Sequence, residues 1–203
     1  MFNNSLISNA TLPMMIIRNI VPLPNNEIRF DVANVKSKLA LKNARDNEKY
    51  ITLFLLKNPN VNSKDELDYL YETGLVCELL SYIDTDIANC RLMGVTRCKL
   101  NEVTQKEPFY MASITTLPAM EDLVSEEADY VNLLVNELEK NAKQIFKDRK
   151  DIINILGGGV TADKLCDILA YNTKFSYIDK VKYLQTPSVS MRIKSILTFK
   201  VFN

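Results

Sequence analysis

The sequence contains no histidine. Its absence removes the Ser-His-Asp and Cys-His mechanisms, His-ligated metal centres, and the usual general base near neutral pH. Any catalysis would fall to carboxylates, lysines or backbone groups. An excess of charge is also missing. Lys+Arg and Asp+Glu balance at 25 each, whereas a dedicated nucleic-acid binder shows a basic surplus. The 4 cysteines, at positions 77, 90, 98 and 166, form no CxxC pair, so zinc-ligand spacing is lacking. They read as reduced, buried thiols of a cytoplasmic protein, because a free Cys behaves as a small hydrophobe.

No apolar run is long enough to span a membrane, which takes about 20 residues. The best candidate is TLPMMIIRNIVPLPN, Thr11 to Asn25. It contains Arg18 and Asn19 and is interrupted by Pro13, Pro22 and Pro24. No Lys or Arg precedes it, as the start of a signal peptide requires. A short apolar run closed by prolines reads as a buried strand followed by a turn. The chain therefore reads as soluble. It has no internal repeat and no low-complexity segment.

A hydrophobic fraction of 47% over 203 residues supports a substantial core. Up to Leu117 the pattern is mainly β. In EIRFDVA, Ile28, Phe30 and Val32 alternate with Arg29 and Asp31, as in a half-buried strand. The next stretch changes period, and a helix with Val35, Leu39 and Ala44 on one face fits it. YITLFLLK, from Tyr50, is a continuous apolar run of central-strand type. Two strands flank the polar turn Asp84-Thr85-Asp86. In the second, Cys90, Leu92, Cys98 and Leu100 share one parity, and Arg91, Arg97 and Lys99 share the other. Gly94 marks a bulge or a close backbone approach there. A further strand sets Tyr110, Ala112 and Ile114 on one side. Short antiparallel strands with one helix predict a small barrel.

Beyond Pro118 the pattern turns helical. Ser125 is the expected N-cap of a helix carrying Val131, Leu134, Leu138, Ala142 and Ile145, with Glu126, Glu127 and Asp129 near its positive end. GGG at 157–159 stops that run. TADKLCDILAYN and SYIDKVKYLQ are two short helices, and Ser188 caps a last one. The chain ends with no Gly or Pro terminator after that helix, which reads as part of a longer chain.

Each candidate for chemistry has a plainer reading. GGGVTADK lacks the Lys placement of a phosphate loop and reads as a linker. Glu121, Asp122, Glu126, Glu127 and Asp129 read as a solvated helix start. Arg91, Arg97 and Lys99 read as a solvated strand face, with no aromatic interleaved for base stacking. Ser190 and Lys194 lie one helical turn apart, yet nothing nearby suggests an oxyanion hole. Met14, Met15, Leu23, Phe109, Tyr110 and Met111 stand out, because flexible Met and aromatic surfaces suit recognition of varied apolar segments. They also fit as core residues of the barrel, and that reading is the favoured one for each. No catalytic, cofactor-binding or metal-binding residue emerges.

The order of segments is familiar. LPMMIIRNIVPLP matches an L-P-[LV]-x-P-[LI]-R-[DN]-x-V-x-[FL]-P opening, and VANVKSKLALKNA aligns with a V-G-R-x-x-S-x-x-A-[LI] helix. LFLLKNPNV and LDYLYETGLV follow, then GVTRCKL with its Gly94 and Arg97, and PFYMASITTL. LCDILAYNTKFSYIDKVKYLQTPSVSMRIKSIL tracks the helical end. Together they cover roughly residues 11 to 200. In this order the chain resembles the N-terminal domain of the ATP-dependent Lon protease family. It departs from the pattern at Val32-Ala33-Asn34, at Asn19 and at Val181.

The resemblance implies an α+β fold. Residues 1–118 would form a PUA-like antiparallel β-barrel with one or two helices. Residues 119–203 would form an α-helical bundle leading to an AAA+ module. The chain has no Walker motif and no peptidase Ser-Lys pair, so it is expected to be an isolated, non-catalytic domain. ATP and Mg would belong to the missing ATPase module. Expected partners are unfolded or damaged protein substrates and other Lon subunits in a homo-hexamer, with no membrane and no nucleic acid, in the cytoplasm. An RNA-binding PUA-like module and a purely structural assembly spacer are the alternatives.

Overall fold

The computed structural model of the protein describes residues 8–58, 66–123, 128–136 and 160–198. The chain forms two compact units, Met1–Pro118 and Ala119–Asn203. The expected cap at Ser125, the run from Leu138 to Ile145 and the GGG linker lie outside the described residues.

The first unit is built on β1 (Asn9–Ile17), β2 (Glu27–Val32), α1 (Val35–Asp46), β3 (Tyr50–Leu55), a 3-10 turn (Glu66–Tyr69), β4 (Thr73–Ile83), β5 (Ala88–Gln105) and β6 (Tyr110–Leu117). The strands order as β2-β5-β4-β3-β1-β6, and β6 also pairs with β5. Ala88 to Met93 of β5 face β2, and Arg97 to Gln105 face β6. The sheet is mixed, which corrects the expectation of an antiparallel one. β1 and β3 run parallel, with Met14 opposite Thr52. Their connection carries β2 and α1, and a crossover of that kind returns the chain in the same direction.

Gly94 meets its expectation. Asn25 N donates to its carbonyl at 2.8 Å and its own N donates to Asn26 O at 3.0 Å. A Cβ there would sit 2.4 Å from Leu23 O, so only glycine admits the 23–26 segment. Just beyond, Gly94 faces Cys77 while Thr96 faces Val76, leaving Val95 as the extra residue of a bulge. The bulge breaks the parity of the strand. Arg97 is therefore buried, not on a solvated face with Arg91. Arg91 instead makes a two-point ion pair to Glu27 at 2.9 and 2.7 Å.

α1 begins at Asn34, whose side chain accepts from Ser37 N at 3.0 Å. It buries Ala40, Leu41 and Ala44. The expected face was offset by part of a turn: Ala44 belongs to it, but Val35 is 69% exposed. The core gathers Leu12, Met14, Phe54, Val76, Tyr110 and Ile114. Each such buried apolar side chain contributes about 2 kcal/mol relative to exposure.

In the second unit, residues 128–136 are helical with Leu134 buried. α2 (Ala162–Asn172), α3 (Tyr177–Leu184) and α4 (Val189–Thr198) follow. Thr161 and Ser176 cap α2 and α3, and Ser188 Oγ accepts from Met191 N at 3.1 Å at the start of α4. Asp122 joins that last cap. Its carboxylate accepts from Ser190 N at 2.9 Å and from the hydroxyls of Ser188 and Ser190. The Ser190 hydroxyl thus serves helix capping. Inside this unit Arg192 is fully buried between Asp167 and Asp163, at 2.9 and 2.5 Å.

Candidate binding surfaces

The six apolar residues singled out from the sequence fall into two groups. Met14, Met15, Leu23 and Tyr110 are buried, with exposures of 1%, 3%, 0% and 9%. Phe109 and Met111 are half-buried. The β1–β6 register brings two of them together, Met14 opposite Tyr110, while Met111 lies opposite Pro13 and, like Phe109, one residue from Tyr110, on the other face of the strand. Leu23 is elsewhere, under Gly94.

Polar groups surround Tyr110. Its hydroxyl donates to Glu66 Oε1 at 3.0 Å, and Arg18 Nη2 pairs with Glu66 Oε2 at 3.2 Å. Lys36, in the first turn of α1, lies 4.7 Å from the Tyr110 ring centroid and donates to Lys106 O at 3.0 Å and to Glu107. Burial, and then the hydrogen bond to Glu66, raises the Tyr110 phenol above its ordinary value. The Glu107 contact raises the Lys36 ammonium. Both groups stay protonated at neutral pH, so the cluster is a fixed corner and not an acid-base pair.

Other reactive groups are equally quiet. Cys77, Cys90, Cys98 and Cys166 are free and buried, as their apolar surroundings in the sequence predict. Burial pushes the Cys77 and Cys98 thiols well up and the Cys90 thiol to about 11. A thiol so shifted supplies almost no thiolate. Among the described residues, no group of three or more Cys, Asp or Glu side chains is placed to hold a metal ion. No described helix is long and apolar enough to cross a membrane.

Two grooves offer concave apolar surface. The first, of about 390 Å³, runs between α1 and the β4–β5 turn and is lined by Ala33, Val35, Leu39, Tyr82, Lys38 and Asp84. Lys38 ties its sides together, with Nζ donating to Thr85 O at 2.7 Å, and on the β4–β5 side Tyr82 Oη donates to Asp84 Oδ1 at 3.0 Å. Ile83 and Ile87 flank the same turn and are 59% and 61% exposed. The second groove, of about 450 Å³, lies between α3 and α4. Neither was evident from the sequence. The isoleucines on either side of Asp84-Thr85-Asp86 were the available signal for the first, since apolar residues at a turn have little to pack against.

The chain matches the family described as the ATP-dependent protease La (LON) substrate-binding domain over residues 11–199. It is 24% identical to a Lon protease of Aster yellows witches'-broom phytoplasma, over 92% of this chain and 24% of that protein. It is 26% identical to a Lon protease of Azorhizobium caulinodans, over 92% of this chain and 22% of that protein. It thus spans about a quarter of the length of the curated relatives it matches. Its fold is similar to the N-terminal domain of Mycobacterium avium complex Lon protease, with a TM-score of 0.68 at 15% identity over 93% of this chain and 97% of that one. It is also similar to a Lon N-terminal domain protein from Xanthomonas campestris, with a TM-score of 0.63 at 12% identity over 93% and 98% of the two chains. With its matched span taking in both units, this chain belongs to the family of LON substrate-binding domains.

Proposed function

We propose that this chain captures exposed apolar segments of unfolded or damaged proteins for an ATP-dependent Lon-type serine protease. Membership of the substrate-binding family is the observation that carries the reading. Apolar side chains held at the surface beside shallow grooves support it, since that is what a binder of varied unfolded segments needs. In this reading the first unit is a PUA-like barrel and the second a helical bundle leading to the ATPase module. ATP and Mg bind in that module, and the Ser-Lys peptidase lies in the same parent protein. The assembly is a cytoplasmic homo-hexamer, and six weak sites around one ring raise the effective concentration for a single chain.

Phe109 and Met111 are the proposed contact residues beside Tyr110, with Met14 and Tyr110 supporting them from the core, while Met15 and Leu23 are core residues away from that corner. The test is binding of a permanently unfolded polypeptide to Phe109→Asp and Met111→Asp variants. Weakened binding with unchanged thermal stability supports the assignment. Unchanged binding removes these residues from the substrate surface. The balanced charge of the chain favours a protein ligand over RNA.

A further inference from the structure

The groove between α3 and α4 has a chemistry of its own. Phe175 and Tyr183 line it, with ring centroids 6.2 Å apart, and Met191 stands beside them with 58% of its surface exposed. Lys182 of α3 and Lys194 of α4 also line it, on the two helices that bound the groove. Neither lysine makes an ion pair among the described residues. The single acid in the lining, Asp179, is engaged at the α3 start: its carboxylate accepts from the Ser176 hydroxyl at 2.6 Å, and its own backbone N–H donates to Ser176 Oγ at 3.2 Å. The lining therefore holds two ammonium groups against one carboxylate, beside an aromatic and thioether surface.

We propose that this groove binds a short peptide segment in which an apolar side chain is flanked by acidic residues. A volume of about 450 Å³ suits one or two large apolar side chains and is too small for a folded partner. Met191 lets the apolar wall adapt to different side chains. Two lysines on opposite helices call for two carboxylates, and acidic side chains on both sides of an apolar residue supply them. A chain terminus supplies only one. This inference rests on the substrate-capture reading and deepens it by naming a class of segment.

The test uses the full 203-residue chain and labelled 12-residue peptides measured by fluorescence anisotropy. One peptide carries Asp on both sides of a Phe-Leu-Phe centre with an amidated end. A second replaces Asp by Asn. A third is the Asn peptide with a free C-terminal carboxylate. A permanently unfolded protein is titrated in parallel. Each exposed ion pair is worth up to about fivefold in affinity, so the Asp peptide is expected to bind about 5- to 20-fold more tightly than the Asn peptide. That preference is expected to fade at 0.5 M salt and to vanish in a Lys182→Gln/Lys194→Gln variant, while Met191→Asp weakens the Asp peptide itself. Equal binding of the Asp and Asn peptides overturns the inference, as does a gain seen only with the free carboxylate. In either case, retained binding of the unfolded protein leaves the capture reading standing. Loss of binding by peptides and unfolded protein alike overturns both.

Discussion

Arg192 and Asp167 form an ion pair at 2.9 Å in which neither side chain is exposed to solvent. Asp163 holds the other side of the guanidinium. Burial opposes the charge on Arg192, and the two aspartates outweigh it, raising the guanidinium above its already high value. The pair ties α4 to α2 across 25 residues of sequence.

Breaking this pair from one side leaves a buried charge without its partner. Arg192→Met is expected to destabilise the second unit by about 3–5 kcal/mol. The double change Arg192→Met with Asp167→Leu should recover most of that loss, because an apolar pair of similar volume carries no desolvation cost. Urea unfolding monitored by circular dichroism checks both variants.

The Asp122 cap gives a pH signature. The Ser188 hydroxyl, then the Ser190 backbone N–H, hold the carboxyl well below the usual carboxylate range. A carboxyl depressed on folding stabilises above its unfolded value. That contribution is lost as pH falls below the ordinary value of 3.8 through the lowered folded one. Glu27 behaves likewise, held at about 2 chiefly by Arg91 against an ordinary 4.5. Asp122→Asn and Glu27→Gln are each expected to flatten the acid limb of the stability curve and to lower stability at pH 7. Thermal melts from pH 2 to 7 measure this. Ser188→Ala, at the same helix start, should cost about 1 kcal/mol.

Gly94→Ala is expected to cost about 3 kcal/mol, because the added Cβ would meet backbone and not a yielding side chain. The denaturation midpoint reports the loss.

The thiols should be silent in the native state. With all 4 cysteines of the sequence buried and free, a disulfide-exchange reagent at pH 8 is expected to modify none in the folded chain. It should modify all of them once urea is added. Rapid native labelling would contradict the burial.

Much of the strand pattern was legible because alternation and continuous apolar runs respond directly to burial. Tyr110, Ala112 and Ile114 share the buried side of β6, and Tyr50 to Leu55 form an inner strand. What escaped was long-range. The parallel β1–β3 pairing depends on where the crossover lands, and no local signal states that. Arg97 was misplaced because a bulge at Val95 breaks parity without any mark but the nearby glycine. The α1 face was offset because the apolar candidates Val35 and Leu39 compete with the small Ala40 for the core. At the candidate surfaces, periodicity ranks residues by burial, so Met14 and Leu23 stood out for the trait that hides them. The grooves arise where elements distant in sequence come side by side, as Val35 and Asp84 line one groove.

The capture of unfolded polypeptide is the central claim, and one titration tests it most directly. A labelled, permanently unfolded polypeptide is titrated with this chain, and the folded form of the same polypeptide serves as control. Saturable binding of the unfolded form alone is the expected result, with shift perturbations falling on Phe109, Met111 and the exposed groove residues. No binding of the unfolded form up to millimolar concentration, or equal binding of both forms, would contradict it.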